Sequence, residues 1–332
     1  MRAVVCERWG GPEELRVAEL SLPEPGPGEV KVRVRAAGVN FPDVLIIQRK
    51  YQVRPELPFT PGAEVAGTVM AVGPSTGSGV GPGSGGLRPG DRVAAFCSLG
   101  GFAEEVIVPE RACVSLPEEV GFEPAAAFLL AYGTAWHALR DRAALRPGET
   151  LLVLGAAGGV GLAAIDIGKA MGARVIAAAS SPEKLAVCRF RGADAVFDYE
   201  REDLRDAIAG LTGKRGPDVV LDPVGDRFAE PAFRSIAWGG RYLVIGFAGG
   251  DIPALPLNLP LLKGASIVGV FWGGYTKREP ERNREAVAQM LAWIAEGRLR
   301  PLVSRTYALD EAPRALEDMA ARRVVGKVVV VP

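Results

Sequence analysis

The sequence predicts an α/β protein of two domains: one doubly wound around a six-stranded parallel sheet, the other a smaller, irregular β-barrel. Three observations predict it. Residues 153–180 read as strand, glycine turn, helix and strand. Beyond Glu123 strand and helix patterns alternate, whereas the first third is strand-rich and broken by Pro and Gly. At 332 residues and 48% hydrophobic content the chain exceeds one ordinary core.

The elements follow in order. The N-terminal Met1-Arg2-Ala3-Val4-Val5-Cys6 reads directly into a strand and lacks the pattern of a secretory leader. Residues 30–36 alternate apolar and charged side chains, the period-two signature of a half-buried strand. Residues 64–72, with Gly67 inside, and 91–96 are further strands, and Pro and Gly mark turns at 23–28 and 87–91. Between them, residues 73–86 are dominated by Gly, Ser and Pro and cannot bury enough surface to order themselves, so a mobile surface loop is expected. A phosphate-binding reading of that run lacks a following lysine or helix start.

A helical stretch over 124–139 precedes a Pro-Gly turn at 145–149. Strands are then expected at 150–154, 174–179, 195–197, 219–221, 240–246 and 266–270. Helices are expected at 160–171, 182–191, 204–211, 228–235 and 281–296. Alternation of this kind means a parallel sheet covered on both faces. The tail returns to β character at 303–307 and 327–331 and completes the first domain. The expected division is therefore 1–123 with 299–332, and 124–298.

Composition narrows the function. Lysine and arginine (39) balance aspartate and glutamate (39), which argues against nucleic acid or an anionic membrane as partner. The longest apolar run, near 125–131, is too short to span a bilayer. Four cysteines, Cys6, Cys97, Cys113 and Cys188, lie far apart, without a disulfide framework or zinc-ligand spacing. A reduced, cytoplasmic protein is the simplest reading. The single histidine, His137, sits beside Trp136 in a helical run and reads as a packing residue.

The chemistry starts at Gly155-Ala156-Ala157-Gly158-Gly159-Val160-Gly161, a dinucleotide fingerprint with Ala156 in place of its first glycine. Gly158 lets the backbone approach a pyrophosphate, Gly161 lets the helix pack on the strand, and the helix start offers N–H groups to the anion. Ala157, Gly158, Gly159 and Val160 are the expected contacts. NAD-preferring sites end the second strand with a carboxylate for the ribose 2′-hydroxyl. Here that strand ends Ala178-Ala179-Ser180-Ser181. Ser180, Ser181 and Lys184 are suited to a 2′-phosphate instead, which predicts NADPH, with Glu183 as the objection. Ser181-Pro182 also reads as a helix N-cap, and both roles are compatible. Tyr199 is a candidate for the adenine ribose or for packing.

Together these features resemble the medium-chain dehydrogenase/reductase superfamily, and within it the zinc-free quinone oxidoreductases of the ζ-crystallin-like NADPH:quinone reductase type. The resemblance covers nearly the whole chain. It rests on Ala36-Ala37-Gly38-Val39-Asn40-Phe41-Pro42-Asp43, Pro61-Gly62-Ala63-Glu64-Val65-Ala66-Gly67, Gly90-Asp91-Arg92-Val93, the glycine fingerprint and Asp222-Pro223-Val224-Gly225. It implies a GroES-like β domain beside a Rossmann domain, with the active site in the cleft between them. Zinc-dependent relatives carry cysteine at Asn40, histidine at Ala63 and a third ligand near Leu130 or Ala131. Glu64 alone cannot make a catalytic zinc site, so no metal is expected.

Without a Lewis acid, an acceptor that takes hydride readily fits best. Quinones and α,β-unsaturated carbonyls qualify, because conjugation spreads the developing charge. By the same resemblance Asn40 is placed to hydrogen-bond the substrate oxygen or the nicotinamide ribose, Asp43 to orient its neighbours, and Tyr51 to cover the substrate or donate a proton. Tyr132, Thr134, Phe247 and Phe271 are candidates for the nicotinamide surroundings, and Phe247 and Phe271 equally for core or subunit contacts. A homodimer through the strand at 266–270 is implied. Two alternatives stand beside this reading: an enoyl-thioester reductase sharing the hydride chemistry, and a non-enzymatic NADPH-binding protein.

Overall fold

A computed structural model describes residues 1–74 and 86–332; most of the glycine-rich run expected to form a mobile loop lies outside the described residues. The chain forms two compact units, Met1–Leu130 with Pro301–Pro332, and Ala131–Arg300. The division falls inside the helix Leu129–Trp136, past the expected position at 123/124. Among the described residues no helix is long and apolar enough to cross a membrane.

The unit 131–300 holds one six-stranded sheet. From edge to edge its strands are Ala195–Asp198, Arg174–Ala179, Thr150–Val153, Val219–Asp222, Arg241–Val244 and Ser266–Gly269, every neighbouring pair parallel. In chain order this is 3-2-1-4-5-6, the doubly wound arrangement, with its direction reversing between Thr150–Val153 and Val219–Asp222. Both of those strands are buried at every residue, as helices on both faces require. Leu152, Leu154, Ile176, Phe197, Val220, Phe233 and Tyr242 lie in one core beside them.

Local chemistry explains where the helices begin and end. The helix Leu204–Thr212 starts where the Asp203 carboxylate accepts from the N–H groups of Arg205 (2.9 Å) and Asp206 (3.0 Å). It stops at Gly213, in the left-handed region at φ 59°. The expected helix over 124–139 is three pieces instead: Phe122–Ala126, Leu129–Trp136 and a π-helical turn, His137–Arg142. His137 stacks on Tyr275 with centroids 4.0 Å apart, and its Nδ1 lies 2.8 Å from Asp141 Oδ2. Both contacts are those of a packing residue.

The other unit is mainly antiparallel. Glu29–Gly38 is its central strand, paired with Glu64–Val72 and with Glu105–Pro109. The sheet continues through Arg92–Phe96 to Cys113–Ser115. On the opposite side Lys327–Val331 pairs antiparallel with Glu29–Gly38 and parallel with Val303–Ala308. Arg2–Cys6 and Leu15–Glu19 form a separate two-stranded ladder. The core is rich in valine, including Val30, Val32, Val34, Val65, Val69 and Val93, as period-two strands demand. Two helices here were not foreseen, Phe41–Ile47 and Ala312–Ala320.

Candidate active-site elements

In the unit 131–300 the glycine loop sits at the carboxyl end of Thr150–Val153, next to the loop that follows Val219–Asp222. Three glycines divide the work. Gly155 adopts φ 57°, and a Cβ there would lie 2.8 Å from Val224 Cγ2, so it makes the tight turn that the sequence motif assigns one residue later. At Gly161 a Cβ would lie 2.5 Å from the Gly155 carbonyl oxygen, so it is the close-packing glycine. Gly158 is different: a Cβ would meet only Gly155 O, at 3.4 Å. Internal packing does not require glycine there, in contrast to Gly155 and Gly161. Gly158 is also the N-cap of Gly159–Ala170, and that helix opens with no side-chain cap on its first N–H groups.

The tip of the second strand brings Ser180, Ser181 and Lys184 together. Lys184 Nζ donates to Ser180 Oγ at 3.2 Å, and Ser181 Oγ accepts from Lys184 N at 3.4 Å as the cap of Pro182–Phe190. Ser181 also hydrogen-bonds the exposed Glu183 carboxylate and holds its pKa below the ordinary value. Tyr199 follows the next strand and packs on Phe228, centroids 4.5 Å apart.

A buried carboxylate shapes the neighbouring loops. Asp222 Oδ1 accepts from Val224 N (2.7 Å) and Gly225 N (2.8 Å), and Oδ2 accepts from Tyr242 OH. Burial raises the pKa of Asp222 against these bonds. The loop it forms is zipped to the next by Ala248 N→Pro223 O (3.0 Å) and Gly249 N→Val224 O (2.7 Å), which places Phe247 beside Gly225. Phe271 is 56% exposed, while Trp272 is buried against Gly133 and opens the helix Trp272–Arg278. Thr134 is buried. Tyr132 is buried too, and its hydroxyl donates to Asp166 Oδ2 at 2.7 Å, where Arg191 also pairs. Nothing in the sequence marked Asp166, Arg191 or Tyr242, because each pairing joins distant elements.

The other unit holds a buried polar cluster around Asn40. Asn40 is the N-cap of Phe41–Ile47, and its N–H donates to Asp43 Oδ2 at 2.8 Å, one half of a capping box. Its amide is not used for capping. Nδ2 donates to Glu64 Oε1 at 3.0 Å and to Gly38 O at 3.2 Å. Oδ1 accepts from Lys327 Nζ. Lys327 also donates to Glu64 Oε1 (2.9 Å) and Val39 O (2.8 Å). Glu64 Oε2 accepts from Leu130 N at 2.9 Å. Gly38 makes room for this: a Cβ there would lie 2.5 Å from Glu64 Oε1. Lys327 gave no signal in the sequence, since it heads a valine run 287 residues from Asn40.

Asp43 is fully buried, and its Oδ1 has no hydrogen-bond partner. Burial pushes its pKa up to about 7, against the lowering effect of the Asn40 N–H and the Lys327 charge. Tyr51 is half-buried; burial and then the charge of Asp43 raise its phenol pKa, so the two side chains sense each other.

A zinc ion does not fit here. Ala63 carries no donor, and the Lys327 ammonium already occupies Asn40 Oδ1 and Glu64 Oε1. A second cation would meet that charge. Among the described residues no group of three or more His, Cys, Asp or Glu side chains is arranged to hold a metal.

Comparison with known proteins adds to this geometry. Residues 26–118 match the alcohol dehydrogenase GroES-like domain, and residues 159–296 match the family described as zinc-binding dehydrogenase. The chain is 39% identical to a quinone oxidoreductase-like protein 2 homolog of Nematostella vectensis, over 99% of this chain and 88% of that one. It is 37% identical to a quinone oxidoreductase of Pseudomonas aeruginosa, over 98% and 97%. The crystal structure of Escherichia coli quinone oxidoreductase complexed with NADPH superposes with a TM-score of 0.92 at 30% identity, covering both chains completely.

Proposed function

The chain belongs to the quinone oxidoreductase family of medium-chain dehydrogenases/reductases, and we propose that it is a zinc-independent reductase that binds NADPH and passes hydride to a quinone or an α,β-unsaturated carbonyl. The observation that carries this reading is the strand tip Ser180-Ser181 with Lys184, free of a strand-end carboxylate, beside the glycine loop at the reversal point of a doubly wound sheet. NADPH supplies a hydride. The loop 155–161 receives its pyrophosphate, and Ser180, Ser181 and Lys184 receive its 2′-phosphate. Asp222 fixes the loops that carry Val224 and Phe247 near the nicotinamide, with Tyr132, Thr134 and Phe271 as further candidates there.

Reduction of a quinone to a hydroquinone takes one hydride and one proton, so an oxyanion must be stabilised and then protonated. Tyr51 carries an O–H suited to that step, and burial, then the charge of Asp43, holds its phenol pKa up. Asn40 contributes a positioned amide. A second copy of the chain is proposed to pair along the edge strand Ser266–Gly269, which leaves Ile267 40% exposed.

The test is oxidation of NADPH by a small para-quinone in the presence of a chelator, with NADH and an α,β-unsaturated ketone in parallel. Turnover with NADPH that resists the chelator, lost in Asn40→Ala and reduced in Tyr51→Phe, is the expected result. Tight NADPH binding with no turnover on either acceptor overturns the quinone and enone assignment and directs the search to enoyl thioesters. Sedimentation of the same preparation as a monomer overturns the dimer.

A further inference from the structure

Lys327 is 4% exposed, and its ammonium has three hydrogens for three acceptors: Val39 O, Glu64 Oε1 and Asn40 Oδ1. These bonds fix Asn40. A side-chain amide offers two hydrogens and two oxygen lone pairs. Both hydrogens are donated, to Gly38 O and Glu64 Oε1, and one lone pair is taken by the ammonium. Turning the amide over would aim its NH2 at the ammonium and its oxygen at the Glu64 carboxylate. That sets like against like on both sides of a buried site, where such mismatches are costly. The amide has one orientation, and one acceptor lone pair remains.

We propose that Lys327 is a positioning residue for Asn40: it locks the amide with its donors turned inward, so that Asn40 meets a ligand only as an acceptor. Asn40 then recognises a ligand hydroxyl and does not polarise a carbonyl. The donor for the developing oxyanion falls to Tyr51. This inference rests on the reading of Asn40 as part of the reductase site.

Lys327→Met alone leaves Glu64 buried without its counter-charge, so the test uses the charge-balanced Glu64→Gln/Lys327→Met pair. The chain has three asparagines, Asn40, Asn258 and Asn283, and 15N-asparagine labelling gives three pairs of side-chain amide signals. Asn40→Ala assigns one of them. In the wild type the Asn40 amide hydrogens exchange slowly with solvent. In the double variant they exchange at least about tenfold faster, and kcat/KM for NADPH falls about tenfold, with Asn258 and Asn283 unmoved. A loss confined to NADPH affinity assigns the hydroxyl to the cofactor; one confined to the KM of the para-quinone, which carries no O–H, overturns the hydroxyl reading. Unchanged exchange overturns the lock. Unchanged kinetics overturns the acceptor role, leaving Lys327 as the counter-charge of Glu64. Failure of the reductase reading shows separately, as a wild type that turns over no acceptor; NADPH affinity then replaces kcat/KM as the readout.

Discussion

The glycine loop at 155–161 and the polar cluster at Asn40 handle hydrogen bonding in opposite ways. The loop withholds side-chain partners: its helix opens without a side-chain cap, and no side chain covers the backbone at Gly158. The cluster supplies them: the ammonium of Lys327 and the amide hydrogens of Asn40 are all engaged. Each arrangement suits a different way of meeting a ligand. An anion is bound by donors left unsatisfied at a helix start, whereas an orientation is fixed by satisfying every donor but leaving one acceptor open.

The strongest way to break this contrast is to fill the loop. In Gly161→Ala the new methyl would lie 2.5 Å from Gly155 O and 2.6 Å from the Ala156 backbone. Backbone cannot yield as a side chain can, so a stability loss on the order of 4 kcal/mol is expected, together with loss of NADPH binding. Gly158→Ala separates the two roles. Its methyl has room inside the protein, so the melting temperature should hold while NADPH affinity falls. Calorimetry with fluorescence titration checks both. A Gly158→Ala protein that binds NADPH as the wild type does removes the ligand from that face.

The cluster is probed through Asp43, whose Oδ1 has no hydrogen-bond partner. Asp43 has a folded-state pKa of about 7 against an ordinary value of 3.8. Between those values the native protein holds a proton that the unfolded chain has lost. Its contribution is therefore fully present below about pH 4 and lost as pH rises through about 7. Stability should fall by a few kcal/mol across that window, and Asp43→Asn should remove the fall while keeping an acceptor for the Asn40 N–H. Urea unfolding at both ends of the window decides it; parallel curves for the two proteins would place the proton elsewhere.

The same contrast explains what the sequence could show. The doubly wound unit is legible because its signals are local: mostly apolar strands, a cap at Ser181, and glycines spaced within one turn. Ser180, Ser181 and Lys184 lie within five residues, and the structure brings them together. The cluster is illegible for the converse reason. Asn40, Glu64 and Lys327 meet only because Lys327–Val331 returns to pair with Glu29–Gly38. Even Asn40 is marked by resemblance and not by pattern, although its capping bond to Asp43, which starts the helix Phe41–Ile47, lies inside the same motif. The shift of the tight turn from Ala156 to Gly155 is a smaller case, since a backbone angle is invisible to residue spacing.

The smallest expected effect tests whether the strand tip belongs with the open loop or with the closed cluster. Lys184 touches Ser180, and the Glu183 carboxylate beside it is held charged by Ser181. If the tip is built for a 2′-phosphate, Lys184 is the cation that offsets both that phosphate and Glu183. Lys184→Glu should then weaken NADPH about tenfold and leave NADH unchanged, because NADH lacks the phosphate that a second carboxylate would repel. The gap should narrow with added salt, since these groups lie near solvent. Equal weakening of both cofactors would mean that Lys184 serves the helix start through Ser180, making the tip a satisfied cap like the capping bond at Asn40. Titration of both cofactors at low and high salt separates the two cases.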